Sequence, residues 1–183
     1  PAALAMDVSG DVLVLESAYI GRVRRVTPAG VVTTLVDSLY YSPHGLAVDG
    51  AGNIYFSVNG CIEKLTNGSR TTVTCEFMGT GLVADSAGNL WVADGGRHTI
   101  SAISASGLVT TLAGFPLISG FADGTGANAR FYEPVAIARG GANAAFVDGH
   151  GKWMESSKQW ERTTKIGHHA STDLYYTWWT ADR

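Results

Sequence analysis

The apolar positions of this chain come in short runs, each cut off by a turn signal. The clearest stretch is Gly81 to Gly114. Leu82–Asp85 ends in Ser-Ala-Gly-Asn, Leu90–Ala93 runs into Gly95-Gly96, Thr99–Ile103 meets Ala105-Ser106-Gly107, and Leu108–Leu112 returns before Gly114. Turns this short leave no room for a crossover helix, so the stretch predicts a four-stranded antiparallel meander.

The same pattern recurs. Leu4-Ala5-Met6-Asp7-Val8-Ser9-Gly10-Asp11 aligns with Leu46-Ala47-Val48-Asp49-Gly50-Ala51-Gly52-Asn53 and with Leu82-Val83-Ala84-Asp85-Ser86-Ala87-Gly88-Asn89; a weaker copy begins at Val135 and reaches Asn143. Val31-Val32-Thr33-Thr34-Leu35 follows Pro28-Ala29-Gly30 much as Leu108-Val109-Thr110-Thr111-Leu112 follows its own turn. A four-strand unit repeated at roughly 40 residues predicts an all-β propeller, because one small sheet cannot bury both of its faces alone. In the first unit the strands are expected at 3–7, 11–15, 22–26 and 31–36. Val23/Val26, Ile62/Leu65 and Ile100/Ile103 are each three apart, against the strand period of two. Each segment is too short for a helix, so a bulged or strongly twisted third strand is predicted.

On Tyr41-Ser42-Pro43-His44-Gly45-Leu46-Ala47-Val48-Asp49 with Gly52-Asn53-Ile54-Tyr55, on Arg22–Gly30, on Thr111–Gly114, and on Gly120–Gly126 leading to Phe131-Tyr132-Glu133-Pro134, the chain resembles the NHL-repeat propeller family. The resemblance covers about residues 1–149. It implies antiparallel four-stranded blades at about 1–38, 39–78, 79–131 and 132–149 onward, with 150–183 a separate, aromatic-rich tail. About four repeats are present where the family leads one to expect roughly six for a closed ring, so a partial propeller or arc is one expected outcome. Some related propellers are lyases or lactonases, which supplies the enzymatic alternative.

Composition narrows the functions. Hydrophobic content of 45%, 23 glycines and only 16% charged residues suit a compact, turn-rich β protein. A net charge of −3 argues against nucleic acid or an anionic membrane as a bulk partner, and no apolar run is long enough for a membrane span. The sequence opens on Pro1 without a signal-like segment, which leads to the expectation of a processed or partial chain.

Two cysteines are present. Cys61 and Cys75 lie equidistant from the centre of the turn Thr66–Arg70, so in a simple hairpin they face each other and a disulfide is possible; two separate buried thiols are the plainer alternative. Asn67-Gly68-Ser69, at the tip of that hairpin, is an N-glycosylation sequon. Together the two features predict a secreted glycoprotein in an oxidising compartment.

Candidate chemistry is sparse. His44, where the second inner strand begins, is the best residue for a ligand contact at the mouth of a central channel. A zinc enzyme wants three protein ligands, and the equivalent repeat positions carry Thr80 and Pro134 or Val135. No nucleophile-elbow, zinc-protease or phosphate-loop motif occurs. Asp49 and Asp85 invite an acid–base or metal cluster with His44, but an Asp before x-x-Gly-Asn more commonly accepts backbone hydrogen bonds in a tight turn. Asp123–Asn128 offers too few oxygens for calcium and reads as a Gly-rich connector, so no metal or cofactor is expected. Arg22, Arg24 and Arg25 read as a solvated strand face before a basic docking stripe.

The tail departs from the repeat. It holds four of the five tryptophans, and Trp153, Trp160, Tyr175, Tyr176, Trp178 and Trp179 are candidates for an interface; strands at 163–167 and 173–180 would complete the last blade after Ala144–Val147. The expected function is a non-catalytic extracellular interaction or structural module. It binds protein or glycan, or assembles with copies of itself into a larger polymer such as a fibre. The alternative is a lyase- or lactonase-type enzyme acting at the channel mouth.

Overall fold

The computed structural model describes residues 1–41, 43–77 and 81–137, and the backbone of 142–145 and 151–154. Twelve of its strands form three sheets, each a meander with strands in chain order. The first sheet is β1 (Ala3–Met6), β2 (Val12–Glu16), β3 (Gly21–Val26) and β4 (Val32–Leu39). The second is β5 (Leu46–Val48), β6 (Ile54–Val58), β7 (Cys61–Thr66) and β8 (Ser69–Thr74), and the third β9 (Gly81–Ala84), β10 (Leu90–Asp94), β11 (Thr99–Ile103) and β12 (Val109–Ala113). All pairings are antiparallel. The first strands β1, β5 and β9 lie side by side, so the sheets radiate from them as the blades of a partial β-propeller. Among the described residues no helix is long and apolar enough to cross a membrane.

The blades adhere through two cores. Leu13, Leu15, Val23, Val36 and Leu39 of blade one meet Leu46, Ile54, Phe56, Val58 and Leu65 of blade two. Ala47, Tyr55 and Ile62 of blade two, with Phe77, meet Leu82, Ala84, Leu90, Val92 and Ile103 of blade three. Blade two is thus covered on both faces, which is why every residue of β6 is buried.

The same sandwiching corrects the reading of the three-residue spacing. Ile62 packs towards blade three and Leu65 towards blade one, because an odd spacing puts two side chains on opposite faces. The third strands pair regularly with the second strands. The bulges lie in the fourth strands instead: Ile62 pairs with Thr74 and Glu63 with Thr72, leaving Val73 over, and Leu112 is left over likewise opposite Ile100/Ser101.

That bulge also sets the cysteines. The hairpin closes on a two-residue turn, Asn67 at φ 49° and Gly68 at φ 82°, between the paired Thr66 and Ser69. A strict ladder from that turn would offset Cys61 from Cys75 by one residue, and the extra residue in β8 restores the match. Cys61 and Cys75 are bonded, 14 residues apart in sequence. Replacing both with serine is expected to lower stability by about 3 kcal/mol, the loop-closure value for a loop of this length, seen as an earlier midpoint in urea.

Beyond blade three the chain makes a long connector. Phe115 bridges to Ile118, Ala122 bridges to Arg130, and a single 3-10 turn spans Gly126–Asn128. A hairpin of β13 (Ala142–Ala145) and β14 (Gly151–Met154) follows. Its first strand begins two residues before the expected Ala144, and its second lies inside the segment that the repeat pattern had set apart as tail. The strands expected at 163–167 and 173–180 fall outside the described residues.

Candidate functional site

A meander alternates the edges at which its chain turns. The turns joining first to second and third to fourth strands therefore lie on one side of the blade stack. The second-to-third turns and the blade-to-blade connectors lie on the other.

The first side is occupied by structural carboxylates. Asp49 Oδ1 accepts the N–H groups of Ala51 and Asn53, both at 2.9 Å, while Oδ2 accepts Asn53 Nδ2 at 2.7 Å and the Tyr55 hydroxyl at 2.9 Å. Asp85 repeats the pattern with Ala87 N–H, Asn89 N–H and Asn89 Nδ2. Asp7 accepts the N–H groups of Ser9 and Asp11 and pairs with Arg25 at 3.2 Å. The asparagines then tie this turn to the next one outward: Asn53 Oδ1 accepts the Thr66 hydroxyl, and Asn89 Oδ1 accepts Ala105 N–H. Burial opposes the charge of Asp49, but its four hydrogen bonds outweigh that and hold the carboxyl below its ordinary range. Burial, reinforced by the Asp49 carboxylate and the charge of Asp85 across the blade boundary, raises the Tyr55 phenol above its ordinary value. These acids are turn locks, with their lone pairs already engaged. The arginines behave similarly: Arg22 pairs with Asp37, Arg24 with Glu16, and Arg25 with Asp7 and Asp11. The sequon residue Asn67 is exposed on this side.

The connector side is aromatic. His44 is exposed just before β5, its N–H donated to the Ser57 carbonyl at 3.2 Å. Pro43, fully buried, wedges its ring against Gly21 of the preceding blade, and the backbone carbonyl of Pro134 lies against Gly95. The match of Pro43 with Pro134 gives Val135 as the counterpart of His44. Among the described residues no group of three or more His, Cys, Asp or Glu is placed to hold a metal ion. Asp123–Asn128 is folded on itself, Gly124 lying against the Asn128 backbone. The Trp153 backbone pairs with Asn143 in the last hairpin. Trp160, Tyr175, Tyr176, Trp178 and Trp179 lie outside the described residues.

Two features of this site escaped the sequence. Asp94 is fully buried at the end of β10, where Oδ1 accepts Arg97 N–H at 3.2 Å and so holds the following turn. Tyr19, Tyr40 and Tyr41 are brought together from the turn after β2 and the connector after β4. Only the pairing of adjacent tyrosines at 40 and 41 hinted at it.

No protein-family model matches the chain, and no curated protein does. Solved structures do. A protein of unknown function from Bacteroides thetaiotaomicron superposes with a TM-score of 0.64 at 20% identity, over 81% of this chain and 45% of the other. An auxiliary nutrient binding protein from Bacteroides ovatus gives 0.64 at 16% identity, over 83% and 46%. Virginiamycin B lyase from Staphylococcus aureus gives 0.57 at 18% identity, over 85% and 55%. A gluconolactonase from Xanthomonas campestris shares the fold less closely. The fold is a β-propeller. The chain spans about half the length of the structures it matches.

Proposed function

We propose that the chain is a non-catalytic, extracellular interaction module of the NHL-repeat type that assembles with copies of itself through its first blade. The observation that carries this reading is the outer face of blade one. Strand pairing places Leu4, Met6, Val12, Val14, Val26 and Val32 on the face turned away from blade two. Leu4 is 63% exposed and Met6 69%. On the far face of blade three, by contrast, Ile100 is 3% exposed and the backbone of Val135–Ile137 lies against Gly81. A propeller sheet that keeps such an apolar strip in water, beside the Glu16–Arg24 ion pair on the same face, is an association surface, and the shape it accepts is another blade. A blade of a second copy would cover this face through a head-to-tail contact, which closes into a ring or continues as a fibre.

The bonded cysteines and the exposed Asn67 support an oxidising, secretory setting with a glycan on the side opposite the aromatic connectors. An enzyme of lyase or lactonase type is the second reading, favoured by the lyase and lactonase among the structural matches. Its chemistry would rest on His44, because Asp49 and Asp85 already accept hydrogen bonds within their own turns.

Sedimentation velocity over a concentration series tests the assembly. The unaltered chain is expected to associate. Leu4→Glu with Met6→Glu is expected to sediment as a monomer with an unchanged circular dichroism spectrum. An unaltered chain that stays monomeric throughout overturns the reading.

A further inference from the structure

Between blades one and two, on the connector side, two shallow clefts of about 290 and 200 Å³ share a wall made of Tyr40 and Tyr41. Tyr19 stands across the first, 91% exposed, and Tyr41 is 74% exposed. Their positions, towards the outer strands, separate them from the mouth of a central channel: the second cleft is bounded by Asn59 and by the ion pair of Glu63 with Arg70 on β7 and β8. From these observations we infer that the clefts form a binding site for a neutral, β-linked glycan of gluco-configured pyranoses, with Tyr19, Tyr40 and Tyr41 as its stacking platform.

Three properties select this ligand class. The exposed apolar surface is tyrosine rather than aliphatic; Val58, the largest aliphatic residue lining either cleft, is itself buried. A tyrosine ring offers a flat apolar face with a polar edge, which suits a sugar ring whose equatorial hydroxyls leave only C–H bonds on its faces. The rings are interleaved with short hydrogen-bonding groups, Ser17, Ser38 and Asn59, and among the described lining residues the only charges, Glu63 and Arg70, neutralise each other. The clefts are also shallow and lie in series along their shared Tyr40–Tyr41 wall, as an extended chain would require.

The backbone that carries Tyr41 is held before any ligand arrives. Tyr41 sits at φ 67°, a conformation costly for a bulky side chain, and the neighbouring connector is pinned by Pro43 packed into Gly21. Backbone held in this way loses little freedom on binding.

Titration with cellohexaose and chitohexaose, followed by backbone and tyrosine NMR shifts, tests the site. Shifts are expected at 17–19, 38–41 and 59–63. Tyr40→Ala and Tyr41→Ala should each weaken binding by roughly ten-fold, while Tyr132→Ala, an exposed aromatic outside the clefts, should not. Absence of shifts with both glycans at millimolar concentration overturns the inference, as does binding that survives Tyr40→Ala with Tyr41→Ala. The site stands apart from the assembly surface: Leu4→Glu with Met6→Glu is expected to keep glycan binding, and the tyrosine variants to keep their sedimentation.

Discussion

Phe56→Ala is expected to destabilise the chain by about 3–5 kcal/mol, read as a large fall in the denaturation midpoint without a change of slope. Phe56 has no exposed surface and sits at the centre of the core that joins blades one and two. Its ring packs among side chains drawn from both blades, so neither sheet can collapse alone to fill the space. The expected loss is comparable with the whole stability of many domains, roughly 5–15 kcal/mol. A tyrosine on the connector surface, such as Tyr19, should by comparison change stability by less than about 0.5 kcal/mol when cut to alanine.

Asp49→Asn is the second large effect, expected at about 2–4 kcal/mol. An amide can still accept the turn N–H groups through one oxygen. Its nitrogen, however, would face the Asn53 amide and the Tyr55 hydroxyl, which both donate to the carboxylate. The hydroxyl is buried and would have to find another acceptor. Acid titration gives the signature. The folded carboxyl titrates below its unfolded value, so the contribution of Asp49 is fully present above about pH 4 and is lost as pH falls through the lower folded value. The stability gap between the two proteins should therefore narrow in acid and hold at neutral pH. Tyr55 carries the opposite sign: its raised phenol stabilises the fold below about pH 10, and that contribution is lost as pH rises further.

The Asp turns show what a sequence declares openly. The backbone hydrogen bonds of Asp7, Asp49 and Asp85 all close within four residues, so their structural role is contained in the local string. The repeats were legible for the same reason. The spacing of Ile62 and Leu65 was not, because its meaning depends on two neighbours that the strand itself does not reveal. The cysteines were correctly opposed, but through a one-residue turn difference and a bulge that compensate each other. The arginines of β3 read as a solvated strand face, but their acidic partners Glu16 and Asp37 became visible only through strand pairing. Tyr19 and Tyr40 belong to different turns, and only the docking of one connector against another blade makes them a surface.

The same stacking logic leaves blade one with an apolar face and no neighbour among the described residues, and that asymmetry is the root of the functional account. Electron microscopy of the associated species examines it directly. The expected image is a closed or continuing propeller in which the face bearing Leu4 and Met6 packs against a blade of another copy. Isolated arcs with that face in solvent, or particles joined through any other surface, would contradict it.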